Sequence, residues 1–369
     1  MKVLHFFKTY YPQTMGGVEQ VIFQLAEGGR EHGITAQVLS LSAQGATRNV
    51  KVGEHLAHTS KLDLHLASTG FSLSAFKDFA ELAKEADIIN YHFPWPFMDV
   101  VHFVSRVRKP TVVSYHSDIV KQKTLLKLYQ PLMHGFLGSV DRIIASSPKY
   151  IESSPTLQRF KDKVTVIPIG LDKNTYPDVP SEKLSYWKAQ LGERFFLFVG
   201  ALRYYKGLDY LLEAACKARF PIAILGQGPM EAELKAKAMK LGLTNIHFLG
   251  GLPDVDKTAL LMLCCGLVFP SHLRSEAFGI SLLEAAMFGK PLISCEIGTG
   301  TTYINIAGET GLVVPPRDPD ALAQAMITLW ENPEESSAMG RRAALRFEQV
   351  FTAERMVDSY AKVYRSLLS

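Results

Sequence analysis

Cysteine is scarce in this chain of 369 residues. The four cysteines, Cys216, Cys264, Cys265 and Cys295, form no Cys-x-x-Cys pair. Adjacent Cys264 and Cys265 are typical of small apolar side chains that fill space in a helix. The sequence therefore predicts a protein of a reducing compartment, the cytoplasm.

Long apolar runs are also missing. The longest nearly continuous one, from Ala259 to Pro270, is too short for a transmembrane helix, which takes about 20 residues. No signal-peptide pattern precedes the buried-strand pattern of Lys2 to Phe6. Any contact with a membrane is therefore expected to be peripheral, on the inner face of the cell membrane.

Composition and length indicate a folded chain of two domains. Hydrophobic residues make up 47% and charged residues 21%, and no low-complexity segment or short repeat occurs. The chain is about twice as long as a domain of roughly 100–200 residues. We expect domains at residues 1–175 and 176–350, followed by a C-terminal helix at 351–369 that packs back toward the N-terminal domain.

The positive charge lies in the first half. Residues 1–180 carry 20 Lys and Arg against 16 Asp and Glu, whereas residues 181–369 carry 20 of each. A short basic span holds Arg106, Arg108, Lys109, Lys121, Lys123 and Lys127. Such a surface suits an anionic membrane or a nucleic acid, and a solvated face explains it equally well. We predict possible contact with an anionic membrane and no nucleic-acid partner.

Short β-rich runs alternate with longer helical patterns along the whole chain. Several runs are continuously apolar, as parallel strands buried on both faces are. The strand candidates are residues 2–6, 37–41, 88–92, 111–116, 142–147, 164–170, 195–200, 222–226, 246–250, 266–271, 291–295 and 311–315. Repeated βα units predict two doubly wound parallel sheets, Rossmann-like, with ligands in a crevice at the carboxyl ends of the strands.

The most informative segment runs from Phe269 to Pro291. A strand ends near Ser271, a loop carries Glu276, and a helix begins near Gly279. The unpaired first amides of such a helix suit a diphosphate, which we place on Gly279, Ile280, Ser281 and Leu282. Phe278 belongs to the same predicted nucleotide-sugar site. Glu284 then accepts hydrogen bonds from a ribose and Glu276 from a sugar. A capping box, Ser281-x-x-Glu284, explains part of the same pattern.

This segment closely resembles the Glu-x7-Glu signature of glycosyltransferase family 4, here Glu276 and Glu284. The flanking Phe-Pro-Ser, Phe-Gly and Glu-Ala-x-x-x-Gly-x-Pro elements agree, and the resemblance extends over nearly the whole chain. It implies the GT-B fold, with two Rossmann-like domains facing a central cleft. It also implies retaining chemistry without a metal ion, an acceptor-side N-terminal domain and a nucleotide-sugar-binding C-terminal domain.

A second stretch, Gly200-Ala-Leu-Arg-Tyr-Tyr-Lys206-Gly207, follows the first strand of the C-terminal half. Two cations there would neutralise the charge that develops on a departing diphosphate. The family pattern is Gly-Arg-Leu followed by Lys-Gly, so Lys206 matches and Ala201 stands where the arginine is usual. Arg203 is the candidate to replace that arginine.

Other strand ends carry weaker signals. Gly16 and Gly17 permit a tight turn and a close backbone approach, and they resemble the family's N-terminal glycine loop. The resemblance implies that His116 contacts the donor sugar and that Gly250 lies beside the nucleotide base. Gly226, at another strand end, belongs to the same predicted nucleotide-sugar site.

Two patterns favour structural interpretations over functional ones. The aromatic residues of Asn90-Tyr-His-Phe-Pro-Trp95 could stack on an acceptor sugar, but the pattern favours packing for any one of them. Asp254-Val-Asp256 resembles a metal-binding Asp-x-Asp pair, but first-turn acids and an N-cap explain it. We predict no metal site and no cofactor beyond the donor substrate.

The donor is predicted from Gly298-Thr-Gly-Thr-Thr-Tyr-Ile-Asn305, which replaces the family's commoner Gly-Gly-x-x-Glu stretch. It resembles a variant of bacterial polysaccharide and O-antigen mannosyltransferases of lipopolysaccharide biosynthesis. This implies GDP-mannose or GDP-rhamnose as donor and a lipid-linked saccharide as acceptor. A UDP-sugar transferase and a UDP-sugar epimerase of the same fold stay open, as does a sugar-binding protein. A nicotinamide dehydrogenase lacks its complete glycine fingerprint here.

Overall fold

The computed structural model describes residues 1–14, 16–66, 69–119 and 123–369. Lys121 of the basic span lies outside the described residues. The chain divides into two compact units. The first unit comprises residues 1–170 and 352–369, and the second comprises residues 171–351. The division therefore falls after Gly170, whereas the sequence pattern placed it after residue 175.

The first unit is built on a sheet of order β10-β9-β8-β7-β1-β2-β4-β3 with a small β5–β6 ladder beside it. Its strands are β1 (Lys2–Phe6), β2 (Thr35–Ser42), β3 (Thr47–Val52), β4 (His55–Lys61), β5 (Leu64–Leu66), β6 (Thr69–Phe71), β7 (Ile88–Phe93), β8 (Thr111–Tyr115), β9 (Arg142–Ala145) and β10 (Val164–Val166). Neighbouring strands of the main sheet are parallel, but the edge strand β3 is antiparallel to β4. The predicted parallel sheet thus carries one antiparallel strand at its edge.

Helices connect these strands. They are α1 (Gly17–Gly28), α2 (Ser74–Glu85), α3 (Pro96–Val104), α4 (Lys123–Ser139), α5 (Pro148–Ser153) and α6 (Pro155–Arg159). Helix α1 ends at Gly28 and continues as a 3-10 turn. Because α1 directly follows β1, it carries residues close to the carboxyl edge of the sheet.

The second unit has a fully parallel sheet of order β13-β12-β11-β14-β15-β16. Its strands are β11 (Phe196–Val199), β12 (Ile222–Leu225), β13 (Ile246–Gly250), β14 (Gly266–Phe269), β15 (Leu292–Cys295) and β16 (Gly311–Val314). This is the 3-2-1-4-5-6 order of a Rossmann sheet. The order in which successive strands are added reverses between β11 and β14. Most of these strands are fully buried, as their continuous apolar sequences predict.

Helices cover the second sheet, and one more helix ends the chain. Those of the second unit are α7 (Ser181–Leu191), α8 (Leu208–Ala218), α9 (Glu231–Lys240), α10 (Asp254–Leu263), α11 (Ile280–Met287), α12 (Thr301–Ile304), α13 (Pro319–Glu331) and α14 (Pro333–Val350). The last helix, α15 (Ala353–Ser366), belongs to the first unit and packs against α1. Its buried stripe includes Met356, Tyr360 and Tyr364.

Candidate functional site

The reversal of strand order in the second unit brings two loops together. The loop after β11 leads through a 3-10 turn to Lys206, and the loop after β14 carries Glu276. Ligands of open parallel sheets bind outside the carboxyl ends of the strands at such a reversal. Lys206 and Glu276 are therefore delivered to the expected ligand position by neighbouring strands.

Lys206 and Glu276 form an ion pair with 2.6 Å between Nζ and Oε2. The Ser271 hydroxyl donates to the same carboxylate oxygen at 3.2 Å, and Lys206 Nζ lies 4.7 Å from the centre of the Phe269 ring. Both charged side chains are largely buried, with exposed fractions of 11% and 12%. A lysine ammonium has three hydrogens, so this contact leaves donors for an anionic ligand. The structure thus joins two of the predicted site residues.

Three predicted glycines lie at the ends of adjacent strands. The Gly200 amide donates to the Leu225 carbonyl at 3.0 Å, and the Gly226 amide donates to the Gly250 carbonyl at 2.8 Å. A Cβ on Gly226 would lie 2.0 Å from the Gly200 carbonyl oxygen, and the φ of Gly226 is +141°. Glycine is required at Gly226 by this close backbone approach.

Helix α11 begins after Gly279, whose φ of +102° places it in the left-handed region. Because Gly279 is the N-cap and Ser281 lies inside the first turn, Ser281-x-x-Glu284 is not a capping box. Phe278 and Leu282 are buried, and Ser281 is 8% exposed. Ile280 is half-buried. The first amides of α11 point out of the helix, where the sequence placed a diphosphate.

Glu284 is buried one turn into α11 and has two partners that the sequence analysis missed. The Tyr176 hydroxyl donates to Glu284 Oε1 at 2.9 Å, and Lys257 Nζ lies 3.0 Å from the same oxygen. Burial lowers the pKa of Lys257, but Glu284 and Asp254 more than offset it and the pKa is raised. Tyr176 and Lys257 lie far from Glu284 in sequence, so no local motif indicates them.

Replacing Lys257 with methionine should lower the free energy of unfolding by about 3 kcal/mol, because Glu284 is left buried without its cation. Urea unfolding measures this loss. Lys217→Met is the matched control: Lys217 pairs with Asp320 on the surface, where a pair contributes about 0.5 kcal/mol. Equal losses in the two variants would contradict a buried role for Lys257.

The other charged candidates of the second unit, Arg203, Asp254 and Asp256, have different surroundings. Arg203 is exposed, and its guanidinium makes no hydrogen bond or ion pair within the described part of the chain; its carbonyl accepts from the Lys206 amide at 3.0 Å. Ala201 is exposed as well. Asp256 accepts from Trp187 Nε1 and pairs with Lys183, each at 2.9 Å, whereas Asp254 pairs with Lys257. The predicted N-cap role is wrong for these acids, because Pro253 occupies the N-cap; both lie in the first turn of α10.

In the first unit, His116 directly follows β8. Its Nε2 lies 2.9 Å from His92 Nδ1, and burial lowers the pKa of His116 to about 4. The ring is therefore neutral near pH 7. A neutral imidazole has one donor and one acceptor nitrogen, so it can form a hydrogen bond to a sugar hydroxyl in either direction.

The glycine loop after β1 differs from its prediction in backbone conformation. Gly16 is extended at φ −145°, and Gly17 begins α1. A Cβ added at Gly16 would lie 2.6 Å from Glu19 Oε2, so a larger residue there would require the Glu19 carboxylate to move. Glu19 is buried, accepts from Thr9 Oγ1 at 2.7 Å, and has a pKa raised by burial. The sequence analysis did not identify Glu19 as a site residue, although it closes the Gly-Gly-Val-Glu stretch.

The aromatic side chains at the end of β7 are core residues. Tyr91, Phe93 and Trp95 have no exposed surface, and Trp95 Nε1 donates to the Gly70 carbonyl at 3.0 Å. An acceptor sugar cannot stack on them in this structure. Packing, the alternative interpretation, is correct.

Two features, a metal-binding cluster and a membrane-spanning helix, are absent among the described residues. Among them, no group of three His, Cys, Asp or Glu side chains could hold a metal ion. None of the helices they form is long and apolar enough to cross a membrane.

Comparisons with known proteins agree with this geometry. Residues 15–175 match the family model Glycosyltransferase Family 4, and residues 183–346 match Glycosyl transferases group 1. D-rhamnosyltransferase WbpZ of Pseudomonas aeruginosa is 59% identical over 96% of this chain and 93% of its own length. O-antigen chain mannosyltransferase C of Escherichia coli is 52% identical over 100% of this chain and 99% of its own.

Solved structures agree at the level of the fold. Sucrose-phosphate synthase of Thermosynechococcus elongatus superposes with a TM-score of 0.80 at 20% identity, covering 100% of this chain and 99% of that one. HepE of Anabaena, in complex with UDP and glucose, gives a TM-score of 0.79 at 20% identity over 99% and 100% of the two chains. The fold is GT-B, and the chain belongs to the family 4 glycosyltransferases.

Proposed function

We propose that this glycosyltransferase transfers mannose, or a related deoxyhexose such as rhamnose, from a GDP-sugar to a growing lipid-linked polysaccharide or glycolipid. The reaction retains the anomeric configuration and needs no metal ion. The observation that carries the proposal is the Lys206–Glu276 ion pair, which lies at the reversal of strand order in the second unit. It supplies a buried cation for a phosphate and a carboxylate for sugar hydroxyls.

The chemistry follows from these groups. The donor diphosphate lies against Lys206 and the first amides of α11, with Arg203 assisting, while Glu284 binds the ribose. The bond between the sugar C1 and the phosphate oxygen breaks as the acceptor oxygen bonds to C1 from the same face. The acceptor proton passes to a phosphate oxygen. Lys206 stabilises the charge that develops on the leaving diphosphate. Such electrostatic stabilisation of the transition state is usually the largest single contribution to catalysis.

The choice of sugar is supported by the relatives and by the donor segment. One relative is named a D-rhamnosyltransferase and another an O-antigen mannosyltransferase, and D-rhamnose differs from mannose only in lacking the 6-hydroxyl. The segment after β15 packs on the Glu276 loop. The Gly300 amide donates to the Ala277 carbonyl at 2.8 Å, and Arg274 Nη1 donates to the Gly298 carbonyl at 2.9 Å. This segment is thus well placed to select the sugar that Glu276 holds.

Incubation of the purified protein with GDP-mannose, GDP-rhamnose and UDP-sugars, with and without a membrane lipid extract, tests the proposal. We expect nucleotide release from a GDP-sugar and labelled lipid only when the extract is present. Transfer from UDP-sugars alone would identify a UDP-sugar, in place of a GDP-sugar, as the donor. Conversion of a UDP-sugar without an acceptor would indicate an epimerase and overturn the proposal.

We also propose peripheral contact with an anionic membrane through the first unit. Exposed apolar side chains lie at the end of α3 and on α4, namely Phe103, Val104, Leu125 and Leu128. The exposed cations Arg106, Arg108, Lys109 and Lys127 belong to the same two segments. Apolar insertion combined with attraction to anionic lipid is a usual way for a protein without a membrane span to bind a bilayer.

The double substitution Leu125→Ser and Leu128→Ser should weaken binding to anionic vesicles by at least about 10-fold, because two apolar side chains are lost from the contact. Vesicle co-sedimentation measures the change. The control is Met239→Ser with Leu345→Ser, which removes two equally exposed apolar side chains from the second unit. If both double variants bind like the unmodified protein, this surface does not contact the membrane.

A further inference from the structure

Three histidines of the first unit form a continuous hydrogen-bonded relay. His116 Nε2 lies 2.9 Å from His92 Nδ1, and His92 Nε2 lies 3.0 Å from His5 Nδ1. The rings of His92 and His116 are nearly parallel, with 11° between their planes and 5.2 Å between their centres, which suits a hydrogen bond in the plane of the rings. His5 and His92 are fully buried, whereas His116, at the end of the relay, is half-buried.

Asn90 and its neighbours hold the inner end of the relay. Asn90 Nδ2 lies 3.2 Å from both His5 Nδ1 and His92 Nε2, and 3.1 Å from the Ser114 hydroxyl. The Ser114 hydroxyl is 2.8 Å from the hydroxyl of Tyr360 on α15. Residues of three strands, β1, β7 and β8, and of the last helix therefore form one hydrogen-bonded network around the ring of His92.

The outer end of the relay lies at a pocket. His116 lines a small pocket of the first unit together with Ser114, Ser146 and Tyr360. The Ser146 hydroxyl is buried and has no hydrogen-bond partner within the described part of the chain. No hydrogen bond of His116 Nδ1 occurs there either. The pocket has room for about one water molecule, so these groups are available to a water or to a single hydroxyl group.

The relay controls the proton of each ring. Burial lowers the pKa of His5 to about 3 and that of His116 to about 4, and burial together with its two histidine neighbours lowers the pKa of His92 well below its usual value. All three rings are neutral near pH 7, each with one donor and one acceptor nitrogen. Each contact between neighbouring rings is a hydrogen bond only if one nitrogen carries a proton and the other does not, so all the rings must donate in the same direction along the relay. The tautomer of His116 is therefore coupled to that of His92.

We infer that His92 is a positioning residue: held by His5 and Asn90, it fixes the ring orientation and tautomer of His116, so that Nδ1 is presented to the donor sugar. This rests on the proposed function in assigning His116 to the donor. His92 itself does not contact the sugar. Its contribution is to hold His116 in the reactive geometry, and losing such positioning costs about 10- to 100-fold in rate.

Two substitutions of His92 separate its two contacts. The side-chain amide of asparagine reaches about the place of Nδ1, next to His116, while that of glutamine reaches about the place of Nε2, next to His5 and Asn90. Both remove a buried ring and so cost similar packing energy. We expect His92→Asn to keep kcat within about threefold of the unmodified protein. His92→Gln should lower kcat by about 10- to 100-fold with little change in KM for the GDP-sugar.

His102→Gln is the control for loss of a buried histidine. His102 lies in the same unit, where Nδ1 is 2.9 Å from the Tyr91 hydroxyl and Nε2 is 3.1 Å from the Ser139 hydroxyl, with no contact to the relay. We expect its kcat to be unchanged. Thermal unfolding of all three variants identifies any loss that comes from instability alone.

Nitrogen NMR of histidine-labelled protein provides a readout that needs no donor. His116 should show a single neutral tautomer in the unmodified protein and in His92→Asn, and averaged nitrogen shifts in His92→Gln. Equal His116 spectra and equal kcat in the two His92 variants would overturn the inference. If the unmodified protein transfers no sugar at all, the proposed function fails, and the NMR comparison still decides whether His92 orients His116.

Discussion

Replacing Lys206 with alanine should lower kcat by about 100- to 1000-fold, since the leaving diphosphate loses its buried cation. The affinity for GDP should fall as well, because the same ammonium contacts the phosphate in the ground state. The 2.6 Å contact with Glu276 holds Lys206 in place at the carboxyl ends of the strands. Nucleotide release from the GDP-sugar and calorimetric binding of GDP measure the two effects.

Two variants sharpen this test. Lys217→Ala removes an exposed lysine of the same unit and should change neither quantity. Lys206→Arg keeps the charge but not the compact ammonium, and we expect it to recover part of the affinity and little of kcat. A Lys206→Ala variant with normal kcat would remove Lys206 from the mechanism.

Replacing His116 with alanine should lower kcat by about 100-fold and leave the affinity for GDP unchanged. The reason for this split is that His116 belongs to the first unit and is assigned to the sugar, whereas the groups assigned to the nucleotide lie in the second. The pKa of His116 is lowered to about 4, so its ring stays neutral from pH 5 to pH 8. Its protonation should not limit kcat in that range.

The measurement is a pair of titrations, kcat against donor concentration and GDP binding by calorimetry. His134→Ala removes another half-buried histidine of the same unit and serves as the control. A large loss of GDP affinity in His116→Ala would assign this side chain to the nucleotide instead. Unchanged kcat would exclude it from the reaction.

The sequence predicted the fold where the strands are apolar. Buried parallel strands such as Phe196–Val199 are continuous hydrophobic runs, and each predicted run forms a strand. The strands β3 and β4 were missed because their residues are polar. In β4, His55, His58 and Ser60 are buried with hydrogen-bond partners, and β3 is an exposed edge. Pattern reasoning does not detect a strand whose buried side chains are polar.

The candidate site was predictable where one segment carries it. Glu276, Gly279 and Glu284 share a loop and the helix that follows, and Lys206 has a family pattern around it. Partners contributed by distant segments were not predictable: Lys257 and Tyr176 meet Glu284, and His92 meets His116, only after folding. The role proposed for Arg203, to replace the family arginine, is a contact with a bound ligand, so the structure without a ligand does not test it.

The linkage formed from a GDP-sugar labelled with carbon-13 at C1, in the presence of EDTA, tests the central claim most directly. The lipid-linked product is isolated and the one-bond carbon–hydrogen coupling at C1 gives its anomeric configuration. We predict full transfer in EDTA and a product with the same configuration as the donor. An inverted product, or transfer abolished by EDTA, would contradict the account.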